Sequence, residues 1–351
     1  MSTMTEVAKR AQVSIATVSN VIYGTRKVSG QRADRVRAAL RELNYHPNQI
    51  ARSLKVKQTR LLAMVLPDIT NPFFPQIVRG AEDAAFSRDY LLVSANTDEQ
   101  PAREQRILAS LWSYRIDGLL LASTGGNAHK ETSHLHAMLR AGLPIVCLDR
   151  SVPKLKTDAI LLDNQAGARA CVRHLIEQGH KRIAVITGPL ELQTGAERLA
   201  GYQQAMSEAG LRAAKELTVE ADFRIEGGRR AALRLLQGRV RPTAIFVCNG
   251  LMAAGVVRAF EEAGVAPLGE IALACFDDIS GDGGAPSHIT SVVQPSYQMG
   301  YQAASMLIDR VEGKLPKRTS ILRIAPKLVL RESTALRLLK PKRANSSLPR
   351  S

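Results

Sequence analysis

His46-Pro47-Asn48-Gln49-Ile50-Ala51-Arg52-Ser53-Leu54-Lys55-Val56-Lys57 joins a small basic head to a large body of different composition, and what this connector can do sets the rest of the reading. Pro47 suits the first position of a helix, where a missing N–H costs nothing. No breaker follows between Asn48 and Lys55, so a helix of about two turns is expected. Isolated helices shorter than about 12 residues are marginal in water, so this one should form only when packed, against a second copy of itself and a DNA groove. Ile50, Ala51 and Leu54 then share an apolar face flanked by Arg52 and Lys55. A leucine wedge beside cations suits the minor groove, where it can unstack a base step while the cations hold phosphate. An amphipathic linker packed on its own domain is the alternative reading of the same residues.

Charge separates the two sides of the connector. Residues 1–60 hold twelve Lys/Arg and three Asp/Glu, and residues 337–351 hold five basic residues and no acid. Of the net charge of +16, only +2 is left for residues 61–336. A basic head on a nearly neutral body implies an anionic partner for the head alone. Nucleic acid comes before a membrane surface, because the head lacks a broad apolar face with aromatic anchors. The 351 residues are 45% hydrophobic, enough to bury a large core in two domains or more. No apolar run approaches the roughly 20 residues needed to span a bilayer, and Glu6, Lys9 and Arg10 leave no signal-peptide core, so a cytoplasmic protein with no membrane partner is expected. Cys147, Cys171, Cys248 and Cys275 have neither metal nor redox spacing and are expected to be buried, reduced thiols.

The head, residues 1–45, reads as three helices. Thr3 with Glu6 forms a capping box that opens a helix through Val7, Ala8 and Ala11. A second helix starts at Ser14, turns Val18, Val21 and Ile22 inward and stops at Gly24. Gln12-Val13 joins the two so tightly that they form a helix-turn-helix, whose second member can lie in a major groove. If Gln12 has positive φ, it costs about 1 kcal/mol. A third helix, Ser29 to Asn44, buries Val36, Leu40 and Leu43 and leaves its arginines in solvent. The outer face of helix two then shows Ile15, Ala16, Ser19 and Asn20. Asn20 can pair with adenine, whereas Ile15 and Ala16 offer apolar contact to thymine methyls. Ser14, Thr17 and Ser19 are short hydroxyls suited to phosphates.

From Leu61 onward short apolar runs alternate with helical patterns, which predicts parallel α/β sheets. LLAMVLP, YLLVSA, GLLLAS and PIVCLD belong to a first lobe; AILLDN, RIAVITG, LTVEAD, TAIFVCN and IALACFDD are expected to form a second. The closing elements, ITSVVQP through LVLREST, are too few for a third lobe and should complete the first two. Ligands of open α/β sheets bind beyond the carboxyl ends of strands. There this chain carries Phe73 and Phe74, Asn96 and Asp98, Ser123, Asp149 and Arg150, Thr194 and Arg198, Phe223, Asn249 and Asp277. Carboxylates, an amide and guanidinium groups around aromatic faces suit a polyhydroxylated ligand, a sugar or sugar-like metabolite.

Catalytic constellations are missing from the sequence: no G-x-S-x-G, H-E-x-x-H or Walker A motif occurs. TGGNAHK at 124–130 only mimics a phosphate loop, GDGG at 281–284 reads as a surface loop, and His134 and His136 are spaced for different helical faces. No enzyme activity, cofactor or metal site is expected.

The run from Met4 to Thr59 resembles the head and hinge of the lactose repressor and galactose repressor (LacI/GalR) family of bacterial transcription factors. NPFF (71–74), DGLLLAS (117–123), LDR (148–150), GHKRIAVITGP (179–189), RLAGY (198–202), RPTAIFVCN (241–249), FDD (276–278) and LVLREST (328–334) resemble that family in order, over nearly the whole chain. The resemblance implies an N-terminal helix-turn-helix head with a hinge helix, then a two-lobed α/β body like the type I periplasmic binding proteins. Its domains would be the head at 1–45, hinge and linker at 46–60, the effector-binding and dimerisation body at 61–336, and a basic disordered tail at 337–351. It further implies a homodimer on double-stranded operator DNA, base reading by Ile15, Ala16 and Asn20, and Leu54 as the minor-groove wedge, to which the reading of the connector itself adds Ile50, Ala51 and Lys55. Arg198, Phe223, Asn249 and Asp277 match effector-contacting positions, with Phe74, Asp149 and Thr194 as secondary matches; Phe73 is added to the site by its place after the first strand alone. The family usually has Asn-Asp where this chain has Asn249-Gly250, and Leu192 is apolar where purine-responsive relatives carry a base. The expected function is a transcriptional regulator, in all expectation a repressor, whose operator affinity is set by a small-molecule effector. A solute-binding protein of a transporter is the alternative, and a doubly wound enzyme the third reading.

Overall fold

The computed structural model describes residues 2–24, 26–46, 58–124, 132–266, 270–278 and 288–334. The connector with Ile50, Ala51, Leu54 and Lys55 lies outside the described residues, as do the tail at 337–351, the GDGG run and residues 125–130 of the TGGNAHK run. The chain divides into two compact units, Met1–Thr59 and Arg60–Ser351.

In the first unit, α1 (Met4–Ala11), α2 (Ile15–Tyr23) and α3 (Gly30–Glu42) enclose Val7, Ala8, Ala11, Val18, Val36 and Ala39. The capping box is formed: Glu6 N–H donates to Thr3 Oγ1 at 3.3 Å, and Thr3 N–H to Glu6 Oε2 at 2.8 Å. Gln12 adopts φ 54°, the left-handed conformation that lets the chain turn within two residues into α2. Val21, Ile22, Leu40 and Leu43 are half-buried rather than fully enclosed. A three-helix unit this small has too little interior to surround every apolar position.

The second unit holds two six-stranded sheets of matching order. The first contains β1 (Leu61–Leu66), β2 (Leu91–Asn96), β3 (Gly118–Leu121), β4 (Ile145–Leu148) and β5 (Asp158–Leu162), in the order β2-β1-β3-β4-β5, all parallel. The second contains β6 (Ile183–Thr187), β7 (Thr218–Glu220), β8 (Ala244–Val247), β9 (Ala272–Phe276) and β10 (Thr290–Val293), in the order β7-β6-β8-β9-β10. β11 (Ile321–Ile324) extends the first sheet beside β5, and β12 (Lys327–Val329) closes the second, antiparallel to β10. Most strands read as unbroken buried runs because helices cover both faces. Every residue of β3, β4, β5, β6, β8 and β9 is buried.

One strand is not where its pattern places it. AILLD, expected to open the second lobe, is the fifth strand of the first sheet, with Cys147 beside Ala159 and Leu148 beside Ile160. The crossover falls after it, at Asp163, which caps α7 (Asn164–Glu177) by accepting from Ala166 N–H at 3.0 Å. Between these lie α4 (Phe73–Phe86), α5 (Pro101–Ser113) and α6 (Ser133–Arg140). In the second half, α8 (Gln193–Glu208), α9 (Ile225–Gln237), α10 (Gly250–Glu262) and α11 (Ser296–Val311) follow. The closing elements complete both lobes as expected: β10 and β12 join the second sheet, β11 the first, and α11 packs on α4. Gly80 and Gly300 permit that packing, since a Cβ on either would stand 2.0 Å from a backbone carbonyl of the other helix. The chain thus passes between lobes three times, near Asp163, Gln294 and Pro326, and Asp163 N–H donates to Ile324 O at 2.9 Å to join two of the passages.

Candidate effector cleft and DNA-reading face

At the carboxyl ends of both sheets, where the strand order reverses, lies a cavity open to solvent, with about 480 Å³ of empty space when that solvent is included. Phe73, Phe74, Asp149, Thr194, Arg198, Phe223, Asn249 and Asp277 all line it, together with Asp68, Asn71, Glu99, Arg150, Asp222, Arg224 and Gln294. Asn96, Asp98 and Ser123, which also follow strands, do not line it. Asn96 accepts from Ile69 N–H, Asp98 pairs with Arg224, and Ser123 donates to Glu104.

Local geometry explains why these side chains face inward. Asn71 accepts from Phe73 N–H at 3.1 Å and so starts α4 with both phenylalanines at the cavity, their rings edge-to-face at 4.9 Å. Asp149, Phe223 and Asp277 sit at the ends of β4, β7 and β9 with φ of 63°, 61° and 71°. A non-glycine residue in that region costs on the order of 1–3 kcal/mol, and such strain clusters where a side chain must be aimed. The Phe223 ring lies against Gly188, where an added Cβ would come within 2.1 Å of it. Asn249 caps α10 by accepting from Met252 N–H at 2.9 Å, and donates to Phe223 O at 2.9 Å.

Two guanidinium groups face the cavity and are held differently. Arg150, in the first lobe, donates to both carboxylate oxygens of Glu99 at 2.8 and 2.9 Å, and its Nε stands 3.5 Å from Asp149. Arg198, in the second lobe, is held by neutral groups: Asn164 Oδ1 at 2.9 Å, the Cys248 carbonyl at 2.6 Å and the Phe276 ring at 3.8 Å. Burial raises the Asp149 carboxyl above its ordinary value, against the pull of Arg150 and Arg198. Asp277 accepts from Gln294 Nε2 and from Gly250 N–H, the latter at 3.4 Å. Gly250 therefore offers its backbone N–H to a neighbouring carboxylate at the position where the resemblance places an acid. Asp149 Oδ1, Thr194 Oγ1 and Gln294 Oε1 are buried without a hydrogen-bond partner among the described residues. Buried polar atoms are normally satisfied, so these three oxygens and the likewise unpartnered Arg150 Nε, all on residues around one cavity, mark a place for a polar ligand.

The strand-end rule, which named Arg150 after β4, also reaches one lining residue it was not used for: Gln294 follows β10, a strand read only as completing a lobe. Glu99 and Arg224 depend on turns and on the opposite lobe, and carried no signal. Leu192 is buried at the start of α8 and does not line the cavity.

In the head, Ile15 is 49% exposed and Ala16 exposed, with Ser19 and Asn20 half-buried one turn on. Ser14 caps α2, accepting from Thr17 N–H at 3.1 Å, and its hydroxyl stands 2.9 Å from that of Thr17.

Comparison with known proteins places the chain. Residues 3–48 match the model for bacterial regulatory proteins of the lacI family, and residues 172–334 that for a periplasmic binding protein-like domain. The chain is 36% identical to the HTH-type transcriptional repressor PurR of Klebsiella pneumoniae (strain 342) over 95% of its own length and 97% of that protein. The chain belongs to the LacI family. It is 38% identical to the ribose operon repressor of Escherichia coli (strain K12), over 89% of its length and 93% of that protein. The lac repressor dimer bound to operator and the anti-inducer ONPF matches with a TM-score of 0.81 at 26% identity, over 95% of this chain and 99% of that one. As a LacI-family member the protein is a DNA-binding transcriptional regulator rather than an enzyme. Among the described residues no helix is long and apolar enough to cross a membrane, and no cluster of His, Cys, Asp and Glu could hold a metal. All four cysteines are free and buried, and burial pushes the Cys248 and Cys275 thiols up to about 12.

Proposed function

We propose that the protein is a cytoplasmic, homodimeric repressor whose operator affinity is controlled by a monosaccharide of the ribose type bound between the two lobes. Three partnerless buried acceptors facing two guanidinium groups in one aromatic-walled cleft carry this reading. A vicinal diol can donate to a carboxylate and accept from a guanidinium at once, while phenylalanine rings cover the C–H faces of a sugar. The name of the ribose operon repressor supports it independently. A purine, which the name PurR raises, would meet eight charged side chains around a planar, largely neutral base. In the head, Ile15, Ala16 and Asn20 read bases, and Ser14, Thr17 and Ser19 contact phosphates. Ile50, Ala51, Leu54 and Lys55 form the minor-groove element, and the effector acts by changing how often paired hinges are helical.

Calorimetric titration with D-ribose, D-glucose and hypoxanthine, followed by operator binding with and without the ligand that binds, tests the proposal. D-ribose binding that changes operator affinity is expected. Binding of hypoxanthine alone would overturn the sugar assignment, and an operator affinity indifferent to every ligand that binds would overturn the control. Leu54→Ala should weaken operator binding at unchanged D-ribose affinity.

A further inference from the structure

Two acidic neighbours in the loop after β2 face opposite ways. Asp98 and Glu99 both have left-handed backbones, φ 54° and 55°, a conformation disfavoured for any residue with a Cβ. The strained turn sends the two carboxylates to different lobes. Asp98 leaves the first lobe: its Oδ1 accepts from Arg224 Nη2 of the second lobe at 2.8 Å. Arg224 follows Phe223, the strained residue whose ring lies on Gly188, so this partly exposed ion pair bridges the lobes beside one of the cleft's aromatic walls. Glu99 stays in the first lobe and takes both Nη groups of Arg150, at 2.9 and 2.8 Å. That fork fixes the rotation of the guanidinium. Its Nε, buried and without a hydrogen bond, lies toward Asp149, whose Oδ1 is likewise unpartnered.

We propose that the Asp98–Glu99 turn is a two-headed latch, in which Asp98 holds the lobes together through Arg224 while Glu99 sets Arg150 as a donor to the effector. Because the two carboxylates share one turn, closing the cleft and presenting Arg150 are a single event. A ligand that draws on Arg150 thereby favours the closed cleft, and loss of the Arg224 contact loosens Arg150. Asp98 and Glu99 are positioning residues, and the inference rests on the reading of the cleft as the effector site.

The test measures closure without any effector. Nitroxide labels at Ser113→Cys and Ser207→Cys, exposed positions on opposite lobes, report the interlobe distance by pulsed electron resonance; the four native cysteines are buried. Asp98→Asn and Arg224→Gln should each shift the ligand-free distribution to longer distances, and the exchanged pair Asp98→Arg with Arg224→Asp should bring it back. Glu99→Gln should widen the distribution as well, since it frees the shared turn. In titrations with D-ribose, Asp98→Asn should weaken binding two- to fivefold by a faster off-rate, and Glu99→Gln about tenfold or more. Distances unchanged in Asp98→Asn, or no recovery in the exchanged pair, would overturn the latch. A wild-type distribution in Glu99→Gln would show that the two heads are independent and overturn the coupling. If the wild-type protein binds no D-ribose, the sugar assignment fails by itself, while the distances still decide the latch.

Discussion

The two lobes repeat one strand order, yet they balance charge at the cleft in opposite ways. In the first lobe the guanidinium of Arg150 is neutralised by Glu99, and the neighbouring carboxylate, Asp149, has an oxygen without a donor. In the second lobe the carboxylate of Asp277 is occupied by Gln294 and Gly250, and the guanidinium of Arg198 meets only an amide, a carbonyl and a ring. Each lobe thus leaves a different group unmatched at the cleft, a carboxylate oxygen in the first and a guanidinium with only neutral partners in the second. A ligand that accepts and donates within a few ångströms is held by both lobes only when the cleft is closed. The fold supplies the positions, and the difference in local partners supplies the chemistry.

Replacing each guanidinium tests that contrast most strongly. Arg150→Met removes the counter-charge from two carboxylates, one of them fully buried, and breaking such a pair typically costs 3–5 kcal/mol. The full chain should lose about that much in urea denaturation. Arg198→Met removes a cation whose partners are neutral. Its cost to the fold should be smaller, about 1–3 kcal/mol for the Asn164 and Cys248 acceptors left without a donor. Its effect on D-ribose should be the larger, roughly ten- to hundredfold in affinity, as for a hydrogen bond to a charged group worth about 1.5–3 kcal/mol. Equal stability losses in the two variants would dissolve the contrast between the lobes.

Asp277→Asn sharpens the comparison from the other side. Both carboxylate oxygens accept from protein donors, and an amide can satisfy only one of them, so its NH₂ must confront either Gly250 N–H or the Gln294 amide. A stability loss of about 1 kcal/mol is expected. The Asp277 charge also helps to raise the Asp149 carboxyl, so the substitution should lower it, readable by carbon-detected NMR titration. An unmoved Asp149 would mean that the two carboxylates do not sense each other across the cleft.

How much of this was legible in the sequence follows from what kind of signal each residue left. Apolar runs ending abruptly in Asp149, Asn249 or Asp277 mark the carboxyl ends of buried strands, and of the twelve residues that rule named, nine line one cavity. The same pattern misplaced Ala159–Leu162, because an apolar run before a helix looks the same whether it opens a new sheet or closes the old one. Only its pairing with β4 distinguishes them, and pairing is a long-range property. Glu99 and Arg224 were illegible for a related reason. Their roles depend on two consecutive left-handed residues and on a contact spanning more than a hundred positions, neither of which leaves a periodicity. Gln12 was legible, since a two-residue connection between helices demands a left-handed residue whatever its side chain.

The smallest expected effect concerns Asp149 and appears as a pH dependence. Its folded carboxyl is raised above the ordinary value of 3.8 by burial, so it binds its proton more tightly folded than unfolded. Below the ordinary value both states are protonated, and the group contributes no slope. As pH rises above it, the unfolded chain ionises first, and stability falls until the pH passes the folded value, after which it is level again. Asp149→Asn, an isostere that still accepts through one oxygen, should match the wild type in acid and exceed it at neutral pH, with that segment of slope removed. D-ribose affinity should fall about two- to twelvefold, because a neutral acceptor replaces a charged one at a difference of about 0.5–1.5 kcal/mol. A variant less stable than wild type at neutral pH would mean that the Asp149 carboxylate is stabilised by the two guanidinium groups more than burial opposes it. The first lobe would then be as internally compensated as the second, and the division of donor and acceptor between them would fail.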